Sequence, residues 1–522
     1  MAVYLGFDSS TQSLTLVAIG IYPDHQEVLL ERSLPFDEIL PRYGTRHGVL
    51  PAADPRSVHA PPLMWAEALD LMMAEVAQSG IARDDIRAIS GAAQQHGSVY
   101  LAHGAGTRLG ALKAHEPLVA QLRDVWARAT APVWLDSSTS EACTAITVAL
   151  GGAAALSRLT GSRAFERFTG PQIRAFAVSQ PNAYANTERV HLVSSFMASL
   201  LAGAHAPLEP GDASGMNLMD ITTCGWAPDA LAATAPSLAE KLPPIVPSWT
   251  TVGTLAPYWC QRYGFPPARV VAWSGDNPSS LVGLGLVREG RLGVSLGTSD
   301  TVFGLMRTAR PEPSGIGHVF GAPTGGHMGL TCFANGSLAR EHVRDAYGLD
   351  WAAFDDALRR TPPGNGGALM LPWFEPEITP AVARPGVRRR HLDPSDAAAN
   401  VRAVVEAQMM ALVRHSSWMG VRPDTFHVTG GAAVNLEILK VMADVSGAQI
   451  VPVETRNAAA LGAALRAWHA DAAASGQAVA WQNIVSSFVR PSGSGAIFAR
   501  PELRRTYDEL MRAQARFEAA SH

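Results

Sequence analysis

One local design occurs twice in this chain, and it limits the fold more than any other feature. A short apolar run V-Y-L-G-F (3–7), a polar turn D-S-S-T-Q-S (8–13) and a second apolar run L-T-L-V-A-I (14–19) predict a β-hairpin near the start. The pattern returns at R-L-G-V-S-L (291–296), G-T-S-D (297–300) and T-V-F-G-L-M (301–306), again with small and hydroxyl-bearing residues at the turn. Each hairpin has a later strand candidate, I-R-A-I-S-G-A-A (86–93) in one half and F-H-V-T-G-G-A-A (426–433) in the other. Helical patterns fill the intervals. In 401–412, Val401, Val404, Val405, Met409 and Leu412 recur at helical spacing and form one apolar stripe that reads as core. Strands alternating with helices in two matching halves predict a duplicated α/β fold.

A chain of 522 residues is long enough for two large or three smaller domains that meet across a cleft. Its 42 basic and 46 acidic residues leave a net charge of −4. That balance excludes the strong basic field of a sequence-independent nucleic-acid binder and favours a small-molecule partner, with no nucleic acid and no membrane. Cys143, Cys224, Cys260 and Cys332 are far apart and have no metal-site spacing, so they read as free thiols in a reducing compartment. The first residues lack the basic and apolar regions of a leader, and no stretch reaches the roughly 18 apolar residues of a membrane span, so a cytoplasmic chain is expected. Near the end, Leu503, Tyr507, Leu510, Met511 and Phe517 share a helical face broken only by Gln514, which predicts a terminal docking helix. The arginines of 385–391 read as a solvated loop.

Phosphate groups require close-approaching backbone N–H groups and hydroxyls, which small-residue turns supply. Thr11, Gln12 and Ser13 in the first turn, and Gly297, Thr298 and Ser299 in the second, can clasp a polyphosphate from opposite sides of a cleft. Either segment alone also fits an ordinary hairpin turn. Asp8 at a strand end can hold Mg²⁺, an ion normally carried by one or two carboxylates together with phosphates and waters. A third element is T-G-G-A-A-V-N (429–435), where Gly430 and Gly431 let a base or ribose lie against backbone and Asn435 falls on the first turns of a helix. A tight strand-to-helix connection explains the same residues. Behind it, 454–465 is so rich in small residues that its helix must pack closely. Trp351 can stack on an adenine or pack at a helix start.

On the acceptor side, A-A-Q-Q-H-G-S (92–98) places Gln95, His96 and Gly97 at the carboxyl end of a strand, where α/β sheets bind ligands, and His96 is expected to donate to a sugar hydroxyl. W-S-G-D-N-P-S-S (273–280) leaves a strand through glycine and sets Asp276 beside Asn277. A carboxylate there can accept a hydroxyl proton while the amide orients the same molecule. An Asx turn or a helix N-cap before Pro278 is the plainer alternative.

These elements, in this order and over almost the whole chain, resemble the FGGY carbohydrate kinases. Within that family Q-Q-H-G (94–97), V-W-L-D-S-S-T (133–139), S-R-A-F-E-R-F-T-G (162–170), D-A-S-G-M-N (212–217) and S-G-D-N-P-S-S (274–280) are similar to the D-xylulose kinases of eukaryotic-like type. The resemblance implies duplicated ribonuclease H-like domains of the actin/hexokinase ATPase type around a central cleft. It implies ATP and Mg²⁺, a pentulose substrate, and a monomer or homodimer. Residues 1–285 would form an N-terminal domain for sugar and phosphate, 286–475 a C-terminal domain for nucleotide, and 476–522 an extension with the docking helix.

By the same resemblance Asp276 is the general base and Asp8 takes the metal and phosphate role. His96, Arg167, Asp276 and Asn277 hold the sugar, and Gly297, Thr298, Gly430, Gly431 and Asn435 fall on the nucleotide motifs. Asp212 has a structural or sugar-adjacent role. Ser10 and Asp300 stand where glycine is common in the family, and Ser10 is expected to adopt a backbone conformation that glycine takes more easily. Ribulose, glycerol or other polyol kinases are the alternatives within the family, although no N-Q-R-E-like acceptor segment stands at 94–97. A nucleotide-dependent switch protein of the same superfold is the alternative outside enzymes.

Overall fold

Two sheets of matching design organise the chain. A computed structural model describes residues 1–521 apart from Pro313, 454–456 and 492–494. The first sheet holds β1 (Ala2–Ser9), β2 (Ser13–Ile21), β3 (Gln26–Pro35), β4 (Ile86–Ala93), β5 (Thr251–Thr254), β6 (Arg269–Val271) and β7 (Ser274–Gly275). The second holds β8 (Arg291–Leu296), β9 (Asp300–Met306), β10 (His318–Gly321), β11 (His327–Phe333), β12 (Thr425–Thr429) and β13 (Gln449–Pro452). The order is β5-β6-β4-β1-β2-β3 in the first sheet, with β7 also on β4, and β10-β11-β9-β8-β12-β13 in the second. In both, an antiparallel meander starting at the predicted hairpin joins parallel strands along its first member. The duplication predicted from the two turns is therefore present in the strand order.

Period-2 alternation explains how β1 serves two layers. Val3, Leu5 and Phe7 face a core with Trp65 and Trp273, while Tyr4 turns to the opposite side. On that side lies a late helix. The helices that matter for the site are α1 (Thr169–Ser179), α2 (Val193–Ala202), α3 (Asp276–Gly283), α4 (Ser337–Ala346), α5 (Trp351–Arg360), α6 (Ala397–Ser416), α7 (Leu436–Ser446), α8 (Ala458–Ala474) and α9 (Arg504–Ala519). Helix α8 packs on β1, β4 and α3 of the first sheet although it follows the second. A methyl on Gly6 would overlap the backbone of Ala460 and Ala464, and one on Gly462 would overlap the carbonyl of Ser279. The small residues of this segment thus permit backbone-to-backbone contact, as its composition predicts; its first three positions, 454–456, lie outside the described residues.

The second core gathers Leu292, Val294 and Leu296 with the predicted stripe of α6 and with Tyr507 of α9. Helix α9 docks as expected, and the polar interruption is part of the seal. Gln514 is buried, accepts from Arg414 at 2.8 Å and donates to the Ala407 carbonyl at 3.0 Å. Arg388–Arg390 remain exposed but form a short strand paired with Leu369–Leu371. All four cysteines are free.

Candidate active site

The parallel strands β1, β4 and β7 end at one edge of the first sheet. Asp8 of β1 and Ser274 of β7 are both register partners of Ala92, so Asp8 and Asp276 flank the end of β4. Burial and the charge of Asp276 push the Asp8 carboxyl up to about 7. Burial likewise raises Asp276, to about 6, against the stabilising Asn277 N–H at 2.7 Å and its side-chain amide at 3.0 Å. The Oδ1 of Asp8 is buried with no hydrogen-bond partner among the described residues. A raised carboxyl at a strand end, next to an orphaned acceptor, has the electrostatics of a reactive site rather than of a turn.

Asp276 occupies the first position of α3, after Gly275 as the N-cap. Of the plainer alternatives, an Asx turn or a helix N-cap, the cap position is taken by Gly275, while Asp276 Oδ1 accepts the N–H of the next residue, Asn277, within the first turn of α3. Asn277 donates through Nδ2 both to Asp276 Oδ1 and, at 3.1 Å, to Gln95 Oε1. The two carboxyl-end loops expected to carry the acceptor site are thereby joined.

His96 has φ of 71°, left-handed backbone that costs energy for a residue with a side chain and that recurs at functional sites. Its Nδ1 lies 2.8 Å from the carbonyl of Gly215, which only accepts, so Nδ1 carries the proton. Burial and the nearby Arg167 drive the ring down to about 3, so it is neutral. Nε2 is then a lone-pair acceptor. With its proton held on Nδ1, His96 has an acceptor and no donor to offer a ligand at Nε2, so the donation expected from it is not available in this tautomer. Phe168 stacks on the ring at 4.3 Å.

Arg167 stands beside this histidine, with its guanidinium over Phe165 at 4.7 Å and Phe168 at 5.5 Å. Its Nη2 lies 3.2 Å from Nε2 of His318, which belongs to β10 of the second sheet. Nothing local in the sequence marked His318; a histidine at the head of the apolar run H-V-F-G reads as an ordinary strand residue.

Asp212 is fully buried, bonded to Ser194 of α2, and its N–H donates to Glu209 Oε1 at 2.8 Å. Glu209 also accepts from Ser274 at 2.6 Å. Arg466 of α8 completes this buried group, donating to the carbonyls of Ala272 and Gly91 behind Asp276. Asp212 is thus buried directly behind Gly275 and Asp276, with its Oδ1 lacking a hydrogen-bond partner among the described residues.

In the first phosphate turn the hydroxyl of Thr11 accepts from Trp134 Nε1 at 2.8 Å and donates to Gln94 at 3.4 Å. Ser13 is tied to Ser10, whose hydroxyl donates to the Ser13 carbonyl at 3.0 Å, and the Gln12 carbonyl accepts from Phe36. What this turn offers a phosphate is backbone N–H. Ser10 does not adopt left-handed backbone, so the strain expected there is absent, because side-chain bonds to Ser13 shape the turn instead. In the second turn Thr298 and Ser299 are exposed while Asp300 is buried. Asp300 pairs with Arg340 of α4 at 3.1 and 3.3 Å, and Arg340 continues to Gln408 at 2.8 Å. Asp300 is thus half of a buried ion pair that braces the turn from behind.

Gly430 (φ 95°) closes tightly on the backbone of Leu296, whereas Gly431 faces open space. Asn435 caps α7, accepting from Glu437 and Ile438 N–H at 3.1 Å, and donates to Asp355 of α5 at 2.6 Å. Trp351 lies four residues before Asp355, on the same helix face as the carboxylate that accepts from Asn435. Its ring is 41% exposed, with Arg344 over it at 4.6 Å.

No group of three or more His, Cys, Asp or Glu capable of holding a metal occurs among the described residues. The lone carboxylate of Asp8, with its orphaned Oδ1, fits an ion carried mainly by phosphates and water.

Comparison with known proteins identifies the family. The N-terminal domain of the FGGY family of carbohydrate kinases matches residues 128–283, and the C-terminal domain of that family matches 292–470. The chain belongs to the FGGY family. It is 43% identical to a xylulose kinase of Mus musculus over 94% of this chain and 89% of that protein. It is 40% identical to xylulose kinase 2 of Arabidopsis thaliana over 90% of this chain and 87% of that protein. Among solved structures it superposes on a xylulose kinase from Rhodospirillum rubrum with TM-score 0.82 at 18% identity, covering 99% of this chain and 98% of the other. A Plasmodium falciparum glycerol kinase with ADP superposes with TM-score 0.75 at 15% identity, covering 99% and 98%. The fold is the two-domain α/β architecture of FGGY carbohydrate kinases, consistent with the actin/hexokinase type. This FGGY protein is a sugar kinase, for which the family implies ATP as co-substrate.

Proposed function

We propose that this FGGY kinase transfers the γ-phosphoryl group of ATP to D-xylulose, giving D-xylulose 5-phosphate and ADP. The observation that carries the reading is the 43% identity to a xylulose kinase along nearly the whole chain. The acceptor cluster of His96, Arg167, Asp276 and Asn277 supports it. In this reading His96 Nε2 accepts from a sugar hydroxyl, and Arg167 donates to sugar oxygens. Asn277 bonds the sugar through its Oδ1, because its Nδ2 already serves Asp276 and Gln95. Asp276 takes the proton of the attacking hydroxyl as that oxygen bonds the γ-phosphorus and ADP leaves.

Asp8 would hold Mg²⁺ through its unpartnered Oδ1, and the ion when bound supplies neutralisation of phosphate charge. In this reading the backbone N–H groups of Thr11, Gln12 and Thr298 face the phosphates, since the Ser13 N–H already donates to Ser10 Oγ at 3.2 Å and the Gly297 N–H to the Asp300 carboxylate, and Gly430, Gly431, Asn435 and Trp351 border the adenosine. Positioning and charge neutralisation then account for catalysis, with little covalent work for the protein. An ADP-release assay across a sugar panel tests the substrate. D-xylulose is expected to lead, and a glycerol or L-ribulose kcat/KM tenfold above that of D-xylulose, about 1.4 kcal/mol, would replace it.

A further inference from the structure

The sugar pocket lies in the first half of the chain, yet one of its walls comes from the second sheet. Strand β10 is an edge strand there, and it is stitched to the first half by main-chain contacts. The Val319 N–H donates to the Gly161 carbonyl at 2.9 Å, and the Gly321 N–H donates to Ser214 Oγ at 3.1 Å. This seam delivers His318 to the pocket, where it is 5% exposed and stacks on Phe320 at 5.6 Å.

The protonation of His318 follows from its partners. A guanidinium has donors and no acceptor, so the 3.2 Å contact with Arg167 requires a lone pair on Nε2. The proton is therefore on Nδ1, which donates to Ser162 Oγ at 3.0 Å. Burial and the neighbouring Arg167, His96 and Arg163 hold the ring neutral, in agreement with that tautomer. Arg167 is otherwise held by aromatic faces, and no carboxylate forms an ion pair with it among the described residues. Among the described residues its remaining N–H groups have no hydrogen-bond partner that a ligand would need to displace.

We propose that His318 is a positioning residue of the second domain that aims Arg167 at the sugar, so that acceptor recognition is shared between the two halves of the chain. The inference rests on the reading of Arg167 as a sugar ligand. Ser162 fixes the tautomer, Nε2 fixes one edge of the guanidinium, and Phe165 and Phe168 fix its plane. The opposite edge is left for vicinal hydroxyls or a carbonyl of a polyhydroxy substrate.

The test is a double-mutant cycle on the full-length enzyme with D-xylulose and ATP, each variant first checked for wild-type folding by circular dichroism and thermal melting. His318→Phe keeps the stack on Phe320 and removes the acceptor. It is expected to raise the KM for D-xylulose roughly tenfold or more, the scale of one hydrogen bond to a charged group, with the KM for ATP unchanged and kcat within about threefold. His318→Gln, whose amide oxygen can stand where Nε2 stands, should recover most of the loss. In an Arg167→Met background, His318→Phe should add less than about a factor of two. If His318→Phe does not fold, Ser162→Ala, which removes only the tautomer-fixing contact, should raise the KM for D-xylulose without changing that for ATP. Additive effects in the cycle, or a normal D-xylulose KM in every folded His318 or Ser162 variant while Arg167→Met loses affinity, would overturn the proposal and leave the Arg167 reading intact. A normal KM in Arg167→Met would overturn both.

Discussion

Asp8 and Asp276 stand on either side of one strand end: Asp8 pairs in register with Ala92, and Asp276 follows Gly275, the register partner of Ala93. Two carboxyls brought this close by parallel strands repel one another, and burial raises both. The same geometry lets one serve the phosphate side and the other the acceptor side of a single transfer.

The pH profile follows from that pair. Asp276 accepts a proton only when ionised, and its carboxyl is raised to about 6. Asp8 must also be ionised to hold the metal and is raised to about 7, so we expect kcat/KM for D-xylulose to decline from about pH 8 downward and to fall more steeply than about tenfold per unit below pH 6. A profile flat down to pH 5 would remove Asp276 from the base role.

Stability carries the opposite sign. Asp8 has its carboxyl raised from 3.8 to about 7, so the folded chain retains a proton that the unfolded chain has lost within that window. This group therefore costs stability increasingly as pH rises from about 4 to 7. Asp8→Asn should melt above wild type at pH 8, with the gain shrinking towards pH 4, while phosphoryl transfer is lost. Calorimetry at the two pH values checks the sign, and near-normal turnover would place the metal elsewhere.

The ion pair behind the second phosphate turn gives a third expectation. Asp300 and Arg340 are each almost wholly buried. Arg340→Met strands an unpaired carboxylate and should cost about 3–5 kcal/mol, whereas Asp300→Asn combined with Arg340→Met should recover part of it. Urea denaturation distinguishes this from an additive pair, in which the double variant is the least stable.

Trp351 tests the adenosine side. It is exposed and shares a helix face with Asp355, the partner of Asn435, so on the proposed reading Trp351→Ala should raise the KM for ATP by roughly tenfold, the scale of one aromatic stack, and leave the KM for D-xylulose unchanged. An unchanged KM for ATP would reduce Trp351 to a helix-start packing residue.

Much of this was legible before any coordinates. Hairpins announce themselves through period-2 apolar runs around a polar turn, and strand-end carboxylates such as Asp8 and Asp276 are visible because the turn follows at once. What could not be read are pairings between distant segments. Trp134 occupies the Thr11 hydroxyl across 123 positions, and Arg167 meets His318 across 151. Asp300 looked like a departure from a glycine pattern until Arg340 supplied the reason. The direction of the His96 hydrogen bond was hidden for the same cause, since only the Gly215 carbonyl fixes which nitrogen holds the proton.

Asp276 and Asp212 lie in look-alike segments, but Asp276 opens α3 at the strand ends whereas Asp212 is fully buried with Ser194 and Glu209. The most direct test of the account is the kcat of Asp276→Asn beside that of Asp212→Asn, with D-xylulose and ATP at saturation. Asp276→Asn is predicted to lose about 10²–10⁴ in kcat, the usual worth of a general base, with sugar binding largely retained, and Asp212→Asn to stay active at altered stability. Abolished transfer in Asp212→Asn, with Asp276→Asn within about threefold of wild type, would contradict it.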